Sequence, residues 1–234
     1  ADGFAPPEYS VKEGNDAPDA TRSLGSTWGG AEAKAALSLS ESFPMLVGSG
    51  PLTSGNNLKL KGSAELSPVS LNVVVQASLT PIAFLVFDGG ASVGTGWTAG
   101  PFRGLGINPV GNAESDIDLE PFGGAVYRVW GTGTFQFDVA ALAPGDWNHV
   151  VMVASSKVEY KAYTGAGSRD AWLWEADSAE NFNGSKLYMT YVLGYQMPLM
   201  LDMVGIMVES EEWLGDVRDY GPMKTAWGSD FRTW

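Results

Sequence analysis

Acidic side chains fall at every second position of "GNAESDIDLEP": Glu114, Asp116, Asp118 and Glu120. Alternate carboxylates can supply hard oxygen ligands to Ca²⁺, so these four form a candidate calcium site. The stretch lacks the twelve-residue helix–loop–helix signature, and a solvated acidic loop is the competing reading. "EADSAENFNG" (Glu175 to Gly184) carries the same ambiguity. Just before it, Trp172 and Trp174 share one face of a short strand. An aromatic face can stack on a pyranose ring, which makes the pair a candidate sugar platform; an interface aromatic pair is the plainer alternative.

Catalytic chemistry finds less support. His149 is the single histidine, which excludes His-rich metal sites and any mechanism needing two imidazoles. It stands at a strand start in "GDWNHVV", where a structural role is expected. No G-x-S-x-G nucleophile elbow occurs. "GTGWTAG" and "GLGIN" lack the spacing and following helix of a phosphate cradle. Several acids could be paired for glycoside hydrolysis, but the sequence singles out no pair. Met189, Met197, Met200, Met203 and Met207 read as apolar packing rather than a cofactor box. The expectation is a protein without enzymatic activity and without a cofactor.

Composition narrows the partners. Twenty-seven acidic against 14 basic residues give a net charge of −13. That disfavours nucleic acid, whose phosphates call for a basic face. It also disfavours docking on an anionic leaflet through a polybasic patch. No cysteine is present, so disulfides and thiolate metal sites are excluded. No run approaches 18 consecutive apolar residues, so no transmembrane helix is expected. The opening "ADGFAPPEYS" suits a mature terminus left by cleavage behind a small residue, which points to export.

The elements that would position these residues follow a period of two. Residues 1–30, with Pro6, Pro7, Pro18 and scattered acids, read as a flexible N-terminal arm. From residue 31 to 234 a single domain is expected. Alternation runs through 31–40, 58–67, 69–80, 83–93, 125–139, 150–163, 187–197 and 199–208. Ser67-Pro68 and Thr80-Pro81 mark turns between antiparallel neighbours, because proline lacks the N–H that a central ladder needs. The count is about nine strands, with a weaker tenth between Met223 and Trp234. The connections at 99–121 and 164–185 are long and acidic.

Strand length separates two all-β architectures. Strands of soluble domains average about 5–6 residues, whereas a tilted membrane strand takes about 9–11. Several alternating runs here reach ten or more. Trp28, Trp97, Phe102, Phe122, Trp147 and Trp213 lie at or near strand ends, as in the aromatic girdles of membrane barrels. The fold expected is an antiparallel up-and-down β-barrel of the outer-membrane type, with a soluble β-sandwich as the alternative.

Three stretches carry a resemblance. They are "PLTSGNNLKLKGSAELSPVSLNVVVQASLTPIAFLVFDGGASVGTGW" (Pro51 to Trp97), "FQFDVAALAPGDWNHVV" (Phe135 to Val151) and "LGYQMPLMLDMVGIMVE" (Leu193 to Glu209). Together they resemble a spirochaete family of outer-membrane β-barrel-like proteins of unknown function. The resemblance spans most of Ala31 to Trp213 and implies a barrel with further strands beyond Trp213; it supplies no catalytic residues. Trp227 and Phe231 have the opposite parity from Trp234, which makes a poor closing strand and leaves two expectations: a barrel domain incomplete at the C-terminus, or a shorter relative that closes differently. The function expected is an exported outer-membrane or surface protein with a structural, pore-like or surface-interaction role. Its partners would be the lipid bilayer and small solutes or surface glycans. The alternative is a secreted binding module for carbohydrate.

Overall fold

The structure, a computed structural model, describes residues 34–108, 117–175, 180–199 and 203–219, and the backbone of 229–233. The expected arm at 1–30 lies outside them, as do Glu114 and Asp116. The chain is all-β and antiparallel, and the only helical turns among the described residues are short 3-10 turns at Val139–Ala141 and Gly215–Asp219.

Among the described residues, twelve strands form two sheets. They are β1 (Ala35–Pro44), β2 (Asn57–Leu66), β3 (Ser70–Ile82), β4 (Leu85–Gly96), β5 (Leu105–Asn108) and β6 (Asp118–Leu119), then β7 (Val126–Asp138), β8 (His149–Tyr163), β9 (Ala171–Trp174), β10 (Gly184–Gln196), β11 (Met203–Leu214) and β12 (Ser229–Thr233). The large sheet has nine strands in the order β1-β2-β3-β4-β7-β8-β10-β11-β12. It is a meander with two edges, and the described residues form no closed ring. The small sheet, β6-β5-β9, is drawn from the two long connections after β4 and β8. Sequence alternation could not find β5 and β6, because strands of four and two residues carry too few periods.

Turn chemistry accounts for the register. At Ser67-Pro68 the chain reverses tightly: the Ser67 amide donates to the Ser70 carbonyl, and the two hydroxyls lie 2.7 Å apart. The second proline departs from expectation. Pro81 sits inside the end of β3, where pairing slips between Leu79 and Ile82, and the reversal comes at 83–84. Pro81 has no N–H to lose there, and its carbonyl accepts from Asn56 Nδ2 at 2.5 Å.

The two faces of the large sheet have opposite chemistry, and burial runs against the usual sense. Partnered residues in the ladder lie on one face, so the register sorts them. One face carries Leu37, Leu60, Val75, Val93, Val129 and Leu193, all exposed. The other carries Ser70, Trp130, Ser155 and Glu159, all buried. Along β7 the exposed positions are Tyr127, Val129, Gly131 and Phe135, while Arg128, Thr132 and Thr134 between them are covered to a greater degree. From β3 to β11 the apolar residues face out and the polar ones are shielded, whereas β1 is exposed on both faces and Lys59 and Lys61 of β2 are exposed.

The small sheet packs on the polar face at the end where β4 stops and β7 begins. Leu105, Val126, Tyr163, Trp172 and Trp174 form the main apolar cluster there, and Ala171, Phe182, Trp213 and Val217 a second. Glycine makes room at two places, for the small sheet at Gly94 and for the neighbouring Trp130 of β7 at Gly90. A Cβ on Gly94 would come within 3.1 Å of the Trp174 ring, and one on Gly90 would collide with the Trp130 indole. With Trp172 at 0% exposure, Trp172→Ala should cost about 3–5 kcal/mol. Denaturant unfolding measures this, against Leu142→Ala at an exposed site as control; a loss below about 1 kcal/mol would contradict the core assignment.

Candidate functional site

The shielded polar face carries the charged residues that converge. The ladder places Trp130, Glu159, Lys186 and Trp213 in one row across β7, β8, β10 and β11. The next row holds Thr132, Lys157, Tyr188 and Glu211. Period two puts these side chains on one face, and antiparallel register sets the signs beside one another.

Within this array each charge has a partner. Lys157 Nζ lies 2.7 Å from Glu159 Oε2, and Arg128 Nη1 lies 4.0 Å from the same oxygen. Lys186 pairs with Glu211. Every one of the four cations also lies over a ring: Arg128 over Trp130 at 4.7 Å, Lys157 over Tyr188 at 5.0 Å, Lys161 over Trp172 at 5.2 Å, and Lys186 over Trp213 at 4.2 Å. A cation on a ring face is worth about 0.5–2 kcal/mol, more when desolvated. The stacking also holds the long side chains flat against the sheet, where each can reach its carboxylate.

The cap over this face is tied down by polar side chains. Tyr163 Oη donates to Glu120 Oε2 at 2.5 Å, and Ser70 Oγ to Glu175 Oε1 at 2.6 Å. Asn183 accepts from the Tyr163 amide and donates to the carbonyls of Tyr163 and Ala166. At the opposite end His149 Nδ1 lies 2.6 Å from Asp138 Oδ2, joining the two strands that flank the loop at 139–148. That is the structural role expected of His149.

The sequence candidates fare unevenly. Trp172 and Trp174 lie on β9, but their rings are buried in the core, so neither offers a free face to a sugar. β9, at one edge of the small sheet, packs on Tyr163 and Val126. Of the four calcium candidates, Glu114 and Asp116 lie outside the described residues. Asp118 is exposed on β6, and Glu120 accepts the Tyr163 hydroxyl. No group of three or more His, Asp or Glu able to hold a metal occurs among the described residues. The charged rows were legible only as a tendency of strand charges to share the polar face; which residues pair depended on register.

No protein-family model matches this chain, and no curated protein and no solved structure matches it either.

The array can balance charge in a shielded space, but it holds no nucleophile–base pair and no open ligand set. Removing a shared anion should therefore be costly. Glu159→Ala removes the buried carboxylate that Lys157 meets at 2.7 Å and should destabilise by about 3–5 kcal/mol. Glu212→Ala removes one partner of Arg218, whose side chain is half exposed, and should cost under about 1 kcal/mol. Chemical unfolding of both variants checks the contrast; equal losses would mean that the buried charges are not coupled.

Proposed function

We propose that this chain forms the wall of an outer-membrane-type β-barrel, with a structural or pore-like role and no catalysis. The observation that carries the reading is the inverted burial of the large sheet from β3 to β11: apolar side chains exposed, charged and polar ones shielded. In water such a sheet forfeits roughly 25 cal/mol for each Å² of apolar surface left uncovered. Soluble monomers rarely expose one apolar patch beyond a few hundred Å². In lipid the same face is matched to its solvent, and the polar face lines the interior.

Strand length supports this. Eight of the nine strands in the large sheet have 10–15 residues, enough to cross hydrocarbon at a tilt. A β-sandwich would need a second layer over the apolar face, whereas the small sheet lies on the polar one. The reading also agrees with the resemblance to the spirochaete outer-membrane family, with an exported location in the outer membrane or at the cell surface, and with the lipid bilayer as partner. Near the cap the paired charges fill the interior, so passage would suit small solutes only.

The first test is gel mobility in detergent, unboiled against boiled, beside solubility without detergent. A heat-dependent shift and a need for detergent are expected. A monodisperse detergent-free monomer with no shift would sink the proposal in favour of the soluble sandwich. A second test uses neighbouring positions of β3. Val75→Arg should cost about 2–4 kcal/mol of folding into vesicles, while Val74→Arg, one residue along and on the polar face, should cost much less.

A further inference from the structure

The two ends of the large sheet differ in chemistry as sharply as its two faces. At the cap end the connections carry Arg103, Asp118, Glu120, Arg169, Asp170 and Glu175 among the described residues. At the other end, the β1–β2 connection "MLVGSGPLTSGN" (45–56) holds no charged residue, and neither do the two residues between β3 and β4. The β7–β8 connection "VAALAPGDWN" (139–148) holds one, Asp146, and the β10–β11 connection "MPLMLD" (197–202) one, Asp202.

Large apolar side chains stand exposed on these tips. Leu46 is 59% exposed, Leu142 78% and Trp147 54%, and Met45, Val47 and Leu52 are exposed as well. Leu46 also has a φ of 58°, in the left-handed region that favours glycine. A leucine kept in a strained, exposed conformation gains nothing from water.

Part of the backbone of the same tips is paired from within. Gly48 N donates to Thr53 O, Thr53 N and Ser54 N to Gly50 O, and Asn56 N to Thr53 O. Asn56 Nδ2 donates to Leu46 O at 2.8 Å, and Ala83 N to Leu52 O at 2.9 Å. In the β7–β8 loop Asn148 Nδ2 donates to Ala143 O, and Tyr195 Oη to Trp147 O. Internal pairing of the main chain is what a non-aqueous surrounding demands of a turn.

We infer that the tips at 45–56 and 139–148 penetrate the bilayer and form the leading end of insertion, while the acidic cap end stays in water. The inference rests on the membrane reading above and adds direction to it. Zwitterionic lipid is the occupant, because these connections carry no cation for an anionic headgroup and no charge set for a protein rim. Trp147 is suited to the boundary between headgroup and hydrocarbon.

The chain lacks cysteine, so single cysteines report one position each. Leu46→Cys, Leu142→Cys, Val75→Cys and Asp216→Cys would carry an environment-sensitive fluorophore, in phosphatidylcholine vesicles with spin-labelled lipid. The tip labels should shift to the blue and be quenched, as should the label at 75, while that at 216 stays in water. Quenching at 75 with tip labels in water would overturn the inference and leave the membrane reading standing; no quenching anywhere would sink both. A blue shift at the tips without vesicles that grows with protein concentration would instead assign them to contact between copies, and overturn lipid as occupant. Leu46→Gly relieves the left-handed backbone, so it should fold at least as well yet bind vesicles roughly tenfold more weakly. Unchanged binding would contradict the inference.

Discussion

A sheet that shields its charged face must cancel those charges within that face. In a medium of low dielectric an unpaired carboxylate or ammonium costs several kcal/mol, so each must meet its opposite across the strands. The large sheet does this by register. Glu159 lies directly opposite Lys186 on one neighbouring strand and Trp130 on the other, and Lys157 reaches it from two residues away. A slip of one residue in any of these ladders would send Glu159 to the apolar face. The ion-paired rows thus fix the register at least as firmly as the turns do, and the apolar face inherits its regularity from them.

The same requirement explains the cap. Cations resting on rings need the rings held still, and Trp172, Trp213 and Trp130 are all buried. Trp130 is held against Gly90, where any side chain would displace it. Trp172 belongs to β9, fixed by β5 on one side and by paired backbone bonds with Asn181 at its end. Aromatic residues that look like a sugar platform in the sequence are therefore the floor on which the interior charges rest.

This account separates what the sequence carries from what it cannot. Period-two alternation over ten or more residues places β2, β3, β7, β8 and β10 within a few residues of their observed limits, because each long strand repeats the pattern many times. It also assigns Lys157, Glu159 and Lys161 to the polar face. It does not say which face is exposed, since alternation is identical for a sheet packed on a core and one facing lipid. Nor does it place Trp172 indoors: a strand of four residues flanked by acids has no periodicity from which burial can be read. Pro81 shows a further limit, for a proline excluded from a regular ladder is accepted where the ladder slips.

Strand parity sets the last constraint. In a nine-stranded antiparallel meander the first and last strands run the same way, so β1 and β12 could pair directly only in parallel. Antiparallel closure takes one strand more. β1 is exposed on both faces over ten residues, and one side of its backbone has no partner among the described strands. Water satisfies such an edge, whereas hydrocarbon does not, at several kcal/mol for each bare group. In the membrane reading, then, pairing of the β1 edge and burial of Leu37 and Leu39 in lipid are one coupled step. The edge tolerates solvent only while the apolar face does too, and the tips at 45–56 and 139–148, with one charge between them, can lead that transfer because several of their backbone groups are already paired.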